Sequence, residues 1–266
     1  MYKRQISAFS DFSEDIVIPT MEECAKFSEE VLAPINAIGD QQGATIKDGV
    51  VTMPEEFVDA YQKFAEAGWA SISLPSDIGG GGMPITLSGG TLEILSTANL
   101  AFGLAPGLSA GAISAINFHG SQEQKDKFLP KLVSGEWTGT MNLSEPQSGS
   151  DLGTITTKAE PQEDGSYKIT GTKVWITFGE HNMTENIIHL VLAKVPGSPE
   201  GTKGISMFIV PKYTVNDDGS VGDSNNVSCI SIEEKLGIHA SPTCVMEYDG
   251  SVGYLVGEEN RGLNYM

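Results

Sequence analysis

Near residue 136 the texture of this 266-residue chain changes, from apolar residues recurring every three or four positions to β-branched runs separated by turn clusters. The first pattern suits helices and the second strands, so the chain has to pass from one to the other at that point. Over residues 20–38, Cys24, Phe27, Val31, Ile35 and Ile38 mark one face of an amphipathic helix, with Thr20 and Glu23 forming a capping-box start. A second helix begins at Pro54, presents Phe57, Tyr61 and Phe64, and ends at Gly68. Two buried helices are predicted over 86–102 and 106–118, broken by Gly103-Leu104-Ala105-Pro106; Ser121 and Gln124 open another, which Gly135 closes. Beyond Trp137, β-branched runs at 168–177, 187–195 and 205–211 alternate with turn clusters at Asp164-Gly165, 196–201 and 217–219. The prediction is an α+β chain, with an all-helical domain over 1–136 and an antiparallel β domain over 137–266. No low-complexity linker separates the halves, so they are expected to pack on each other.

Charge narrows the partners. Sixteen Lys and Arg against 35 Asp and Glu give a net charge of −19, which repels a phosphate backbone or an anionic membrane surface. Residues 94–122 carry no charge and could span a bilayer by length, but Ser96, Thr97, Asn99, Ser109, Ser114 and Asn117 interrupt them. Neither nucleic acid nor membrane is therefore an expected partner. Cys24, Cys229 and Cys244 are odd in number, distant in sequence and without metal-type spacing, so reduced thiols in a cytoplasmic compartment are expected. No apolar stretch of secretory type follows Lys3-Arg4.

Two motifs mimic chemistry they do not carry. The four glycines at 79–82 are followed by no Gly-Lys-Ser/Thr, which leaves an interhelical turn rather than a phosphate loop. Gly107-Leu108-Ser109-Ala110-Gly111 spells a nucleophile elbow, yet a helix and Pro106 precede it where a strand is needed, so small residues allowing close helix approach are the better reading. His119, His181, His189 and His239 have no metal-binding spacing; His189, inside an apolar strand, is expected neutral and hydrogen-bonded.

The informative constellation is Met141-Asn142-Leu143-Ser144-Glu145-Pro146-Gln147-Ser148-Gly149-Ser150-Asp151, a strand that runs into a loop of small hydrogen-bonding residues. About 25 residues later Lys173-Val174-Trp175-Ile176-Thr177 puts an indole and a hydroxyl on one face of a strand, because side chains alternate. A planar cofactor with a hydrogen-bonding edge suits that pair.

The first segment resembles the (Y/M)-x-(L/V)-(T/S)-E-P-x-x-G-S-D signature of the acyl-CoA dehydrogenase family, and Gly171-Thr172-Lys173-Val174-Trp175-Ile176-Thr177 its G-x-K-x-W-I-T signature. Leu74-Pro75 with the glycines at 79–82 looks like the family's helical-domain loop. Residues 235–243 are similar to its K-x-G-x-R-x-S-x-T segment, and Val256-Gly257 with Asn260-Arg261-Gly262-Leu263 to its glycine-rich approach to the C-terminal helices. The resemblance implies a helical N-terminal domain, a β-barrel middle domain, and FAD held with its isoalloxazine against the barrel. Met141, Leu143 and Ser144 would contact the flavin, Trp175 and Ile176 would lie beside it, and Thr177 would hydrogen-bond near N5. Ser150 would lie where the acyl-CoA thioester arm passes.

The implied reaction is α,β-dehydrogenation, with a proton leaving Cα to a base and a hydride leaving Cβ to flavin N5. The family's base is a glutamate in a C-terminal helical bundle, which is expected here only beyond Met266, the last residue of the sequence. A truncated chain with no catalytic residue of its own, no metal and little turnover alone is thus expected, with an electron-accepting flavoprotein as partner and a homo-oligomer at full length. His239 stands where the family commonly has arginine, and Phe178-Gly179-Glu180 replaces the usual Asn-Gly. Residues 179–201 look more like a longer bacterial branch, which includes enzymes acting on 3-methylmercaptopropionyl-CoA. The alternative is a non-catalytic module that binds acyl-CoA or a partner protein.

Overall fold

The structure, a computed structural model, describes residues 6–266. Helices α1 (Glu14–Phe27) and α2 (Ala33–Gln42) form one rod through a π-helical turn at Ser28–Leu32. The rod starts six residues before the expected Thr20. Ser13 takes the N-cap position, Glu14 and Asp15 in the first turn complement the helix dipole, and the Thr20 hydroxyl donates back to the Ile16 carbonyl at 2.8 Å instead of capping.

The N-terminal half is not wholly helical. Strands β1 (Thr45–Lys47) and β2 (Val50–Thr52) pair across Asp48-Gly49, both at positive φ (51° and 79°), the twist a two-residue hairpin needs. Helix α3 (Glu55–Glu66) buries Phe57, Ala60, Tyr61 and Phe64. The glycines at 79–82 form a turn whose N–H groups are spent internally, Gly80 on Pro75, Gly81 on Ser71 and Gly82 on Leu74, so no phosphate cradle exists.

The break in the apolar helical stretch lies at Asn99, not at 103–106. Between α4 (Ile85–Ala98) and α5 (Leu100–His119), Asn99 is extended (φ −158°); its side-chain oxygen accepts from Phe102 N–H at 3.1 Å and its amide donates to Leu32 O. This cap outweighs Pro106, whose missing N–H costs α5 a single backbone bond. Helix α5 is long and apolar enough to cross a membrane by length and composition, and half of it is buried inside the fold. Helix α6 (Gln122–Ser134) has the expected capping box between Ser121 and Gln124 and ends at Gly135, φ 81°.

Strands β3 (Trp137–Asn142), β4 (Lys158–Pro161), β5 (Tyr167–Thr177), β6 (Asn186–Lys194) and β7 (Ile205–Pro211) are followed by the hairpin β8 (Tyr213–Val215)/β9 (Val221–Ser224), then β10 (Val227–Glu233) and β11 (Thr243–Leu255). β7 pairs with both β6 and β11, so β11, β5, β4, β6 and β7 close a ring, with β3 and β10 flanking it. The pairings are antiparallel except β3 on β6 and β4 on β6. A four-residue helix, α7 (Gly262–Tyr265), packs on β7. Just after it Met266 donates its N–H to the Gly262 carbonyl at 3.0 Å and rests, half-buried, against the core cluster that holds Ile113 and Phe128. The apolar clusters cross from one half to the other: Phe57, Phe64 and Phe102 pack with Phe178, Met183 and Ala240, while Ala112, Ile113 and Phe128 pack with Ile188, Leu190 and Met207.

Candidate active site

Strand β3 carries two chemically different faces. Thr138, Thr140 and Asn142 are buried on one, and Trp137, Gly139 and Met141 alternate with them. A Cβ on Gly139 would stand 2.5 Å from the Ala112 Cβ, and one on Gly111 would stand 3.0 Å from the Met141 sulfur. Glycine at both places lets α5 lie against the strand. The Ser109 hydroxyl accepts the Gly139 N–H at 3.0 Å and donates to the Ala105 carbonyl, so the apparent nucleophile elbow is a helix-to-strand clamp.

After Asn142 the chain leaves the strand and is tied to β5. Lys173 Nζ donates to the Leu143 carbonyl at 3.0 Å, and the Val174 N–H donates to the Ser144 carbonyl at 2.9 Å. Lys173 also meets Glu145 at 2.9 Å, and the side chains of both are almost wholly buried, at 0% and 2% exposure. Glu145 further accepts the N–H and hydroxyl of Thr156 (2.6 and 2.9 Å), the N–H and hydroxyl of Thr157 (3.0 and 2.5 Å), and the Gln147 amide (2.7 Å). Burial by itself raises the Glu145 carboxyl; the Lys173 charge and these hydrogen bonds outweigh it and hold the group at about 2. Burial pushes the Lys173 ammonium down to about 8, with Glu145 opposing the fall.

Trp175 sits on a β-bulge. Cys244 faces Ile176 and Met246 faces Lys173, so Val174 and Trp175 share the single partner Val245. Trp175 takes φ 64°, in the left-handed region that an aromatic residue seldom occupies, and its indole is 61% exposed. Strict alternation would put Lys173 on the same face; the bulge breaks the parity, so the lysine turns inward while the indole faces out. Ile176 points into the barrel core with Cys244 and Met246, leaving only its backbone on the Trp175 side. Thr177 is half-buried. Among the described residues neither the Thr177 nor the Ser144 hydroxyl has a hydrogen-bond partner. Met141 and Leu143 are half-buried, the first with its sulfur beside Gly111 of α5 and the second packed against the core cluster that holds Ile113. Ser150 is exposed on a loop braced by Ser148, whose hydroxyl donates to the Asp151 carbonyl at 2.6 Å. The structure thus brings together Ser144 and Trp175 through their tied segments, and leaves an open shelf with an aromatic face and two free hydroxyls. The base expected beyond Met266 falls outside the described residues. The last two carboxylates before that point, Glu258 and Glu259, are exposed, and Glu259 accepts the Tyr167 hydroxyl at 2.9 Å.

Behind the shelf lies a polar file that the sequence did not announce. Tyr248 OH donates to Asn142 Oδ1 (2.9 Å), the Asn142 side-chain amide to Thr140 Oγ1 (2.8 Å), and the Thr140 hydroxyl contacts His189 Nδ1 (2.7 Å). His181 accepts the Met183 N–H at Nδ1, so its Nε2–H donates to Thr138 at 2.9 Å. Burial, with the Lys212 charge behind it, pushes both imidazoles down to about 3, which makes His189 neutral, as the sequence suggested. Lys212 pairs with Glu180 at 2.5 Å. Among the described residues no group of His, Cys, Asp or Glu is arranged to hold a metal. Cys229 and Cys244, remote in sequence, lie on neighbouring strands as free thiols.

Residues 19–136 match the pattern described as acyl-CoA dehydrogenase, N-terminal domain, and residues 140–251 that of acyl-CoA dehydrogenase, middle domain. The 3-methylmercaptopropionyl-CoA dehydrogenase of Ruegeria pomeroyi is 48% identical over 265 residues, covering 98% of this chain and 45% of that protein. A butyryl-CoA dehydrogenase of Syntrophomonas wolfei is 41% identical over 240 residues, 88% of this chain and 39% of that one. The chain spans less than half the length of either relative. Among solved structures, acyl-CoA dehydrogenase complexed with FAD from Bacillus anthracis superposes with a TM-score of 0.76 at 26% identity, over 96% of this chain and 39% of that one. Butyryl-CoA dehydrogenase from Megasphaera elsdenii gives 0.77 at 23% identity, over 96% and 62%, a likeness of fold. Both domain patterns run in order along one chain whose helical layer and barrel superpose on solved members, and so the chain belongs to the acyl-CoA dehydrogenase family.

Proposed function

We propose that this chain supplies the cofactor and thioester face of an FAD-dependent acyl-CoA dehydrogenase, which takes a proton from Cα and a hydride from Cβ of an acyl-CoA. The observation that carries the reading is the shelf itself: an indole held outward at a strained φ, beside two hydroxyls with no partner of their own. A fold does not keep an aromatic residue in the left-handed region, exposed, without a use for it. The residues present fit a flavin: an aromatic plane, an apolar edge at Met141 and Leu143, and unspent donors at Ser144 and Thr177. When bound, FAD supplies the two-electron acceptor for the hydride.

The chain's own residues do the rest. Trp175 covers one side of the shelf and excludes water from it. Thr177 and Ser144 direct hydroxyl protons toward an electron-rich ring edge, where fixed donors stabilise developing negative charge. Ile176 contributes only backbone. Ser150 stands on the exposed loop past which the thioester arm runs. Glu145 is not the proton acceptor: it is ionised, buried and saturated with donors. The proton acceptor is therefore a group outside this face, and the residues of this face alone turn over little or not at all. Electrons leave to an accepting flavoprotein, the full-length enzyme is a homo-oligomer, and three free thiols suit a cytoplasmic compartment. The likeness to the Ruegeria protein makes a short thioether acyl-CoA the first substrate to try.

The test is reconstitution with FAD, removal of free flavin by gel filtration, and anaerobic titration with 3-methylmercaptopropionyl-CoA and butyryl-CoA. A yellow protein retaining near-stoichiometric FAD is expected, with slow or absent bleaching. Colourless protein overturns the flavin reading, and rapid dye reduction by the chain overturns the placement of the base.

A further inference from the structure

Lys173 has a task that its ion pair with Glu145 does not exhaust. Its ammonium donates to the Leu143 carbonyl at 3.0 Å, and the next carbonyl along, that of Ser144, is held by the Val174 N–H. Both oxygens are therefore drawn toward β5. The peptide joining Leu143 to Ser144 is trans, so its N–H points opposite to its C=O, away from Lys173. That Ser144 N–H has no acceptor among the described backbone bonds, and the Ser144 hydroxyl beside it has none either. An ammonium on a peptide oxygen withdraws density from the whole peptide unit, so the N–H on the same unit becomes a better donor.

We propose that Lys173 is a positioning residue that, through the Leu143 carbonyl, aims and strengthens the Ser144 N–H as a donor to the electron-rich edge of bound FAD, and so favours the reduced over the oxidised cofactor. The proposal rests on the flavin reading above. A donor strengthened in this way gains more from an acceptor that carries more negative charge, which is the condition for stabilising the product of hydride uptake over its precursor. Glu145 keeps the ammonium in place and ionised, while Thr156 and Thr157 keep Glu145 from competing for the loop.

The experiment compares FAD affinity and two-electron potential in the wild-type chain, in K173R, and in the double variant K173M/E145Q, which removes both charges together so that neither is left buried and unpaired. The double variant is expected to lose at least tenfold in preference for reduced over oxidised FAD, a fall of about 30 mV. K173R, which keeps a cation on the carbonyl, is expected to stay within twofold of wild type. An unchanged potential in a folded, FAD-binding K173M/E145Q overturns the proposal, as does an equal fall in K173R. Independently of any variant, the Ser144 amide proton resonance of the wild-type chain is expected to move downfield on FAD binding and further on reduction; a stationary resonance overturns it. Failure of the wild type to retain FAD is a different result, because it removes the flavin reading itself.

Discussion

Replacing Glu145 with Gln removes the charge of the most heavily bonded carboxylate at the shelf and keeps its shape. The carboxyl is held at about 2 in the fold against its ordinary 4.5. That difference, at ~1.36 kcal/mol per pH unit, amounts to roughly 3 kcal/mol of stability at neutral pH. A depressed carboxyl contributes in full above its unfolded value and loses that contribution as pH falls through the folded one. Wild type should therefore keep its advantage over E145Q down to about pH 4.5, lose roughly a third of it by pH 3.5, and retain almost none below pH 2. Urea unfolding followed by far-UV circular dichroism at pH 7, 5 and 3.5 measures the gap directly. A gap that is constant over this range, or that widens in acid, would refute the linkage and with it the claim that Glu145 is ionised in the fold.

Acid should also act through His181 and His189. Both are neutral and held at about 3 against 6.5 unfolded, so the unfolded state takes up their protons first and stability falls as pH drops from 6.5 toward 3, at roughly 1.4 kcal/mol per pH unit for each; imidazole nitrogen NMR that shows either ring titrating near pH 6 would count against this. S109A should cost about 1–3 kcal/mol by leaving the buried Gly139 N–H without an acceptor, and the wild-type serine should not react with a fluorophosphonate probe. G139V should fail to fold, because a side chain there meets Ala112 at 2.5 Å; soluble, wild-type-like protein would mean that α5 is not packed as described. T177V should leave the melting temperature within about 2 °C, since its hydroxyl bonds to nothing inside, while weakening FAD retention; equal losses of both would make Thr177 merely structural.

Helix α6 was readable from its capping box and closing glycine, and β7, buried along its whole length, from its run of β-branched and apolar residues. Asn99 was not, because a single polar residue in an apolar run looks like noise beside the Gly and Pro that follow, and its capping value depends on Leu32, 67 residues away. The same-face placement of Trp175 and Thr177 came from alternation alone, but the bulge that turns Lys173 away from them depends on the register of β11. Glu145 and Lys173 lay within the signatures, yet a hydropathy pattern treats two charges as surface, and their partners Thr156 and Thr157 belong to neither motif. Ring closure rests on a β7–β11 pairing between segments about 45 residues apart, which no local pattern encodes.

The apolar clusters that straddle residue 136 bear on how the molecule comes apart. Phe57, Phe64 and Phe102 are completed by Phe178, Met183 and Ala240, and the strands of the barrel are in turn roofed by Ala112, Ile113 and Phe128. A cut between the helices and the barrel would open both interiors at once, so neither part is a folding unit by itself. Heat or denaturant should accordingly melt the molecule in one cooperative step, with the helical and barrel signals lost together, and a separately expressed helical segment should stay insoluble until the barrel segment is supplied.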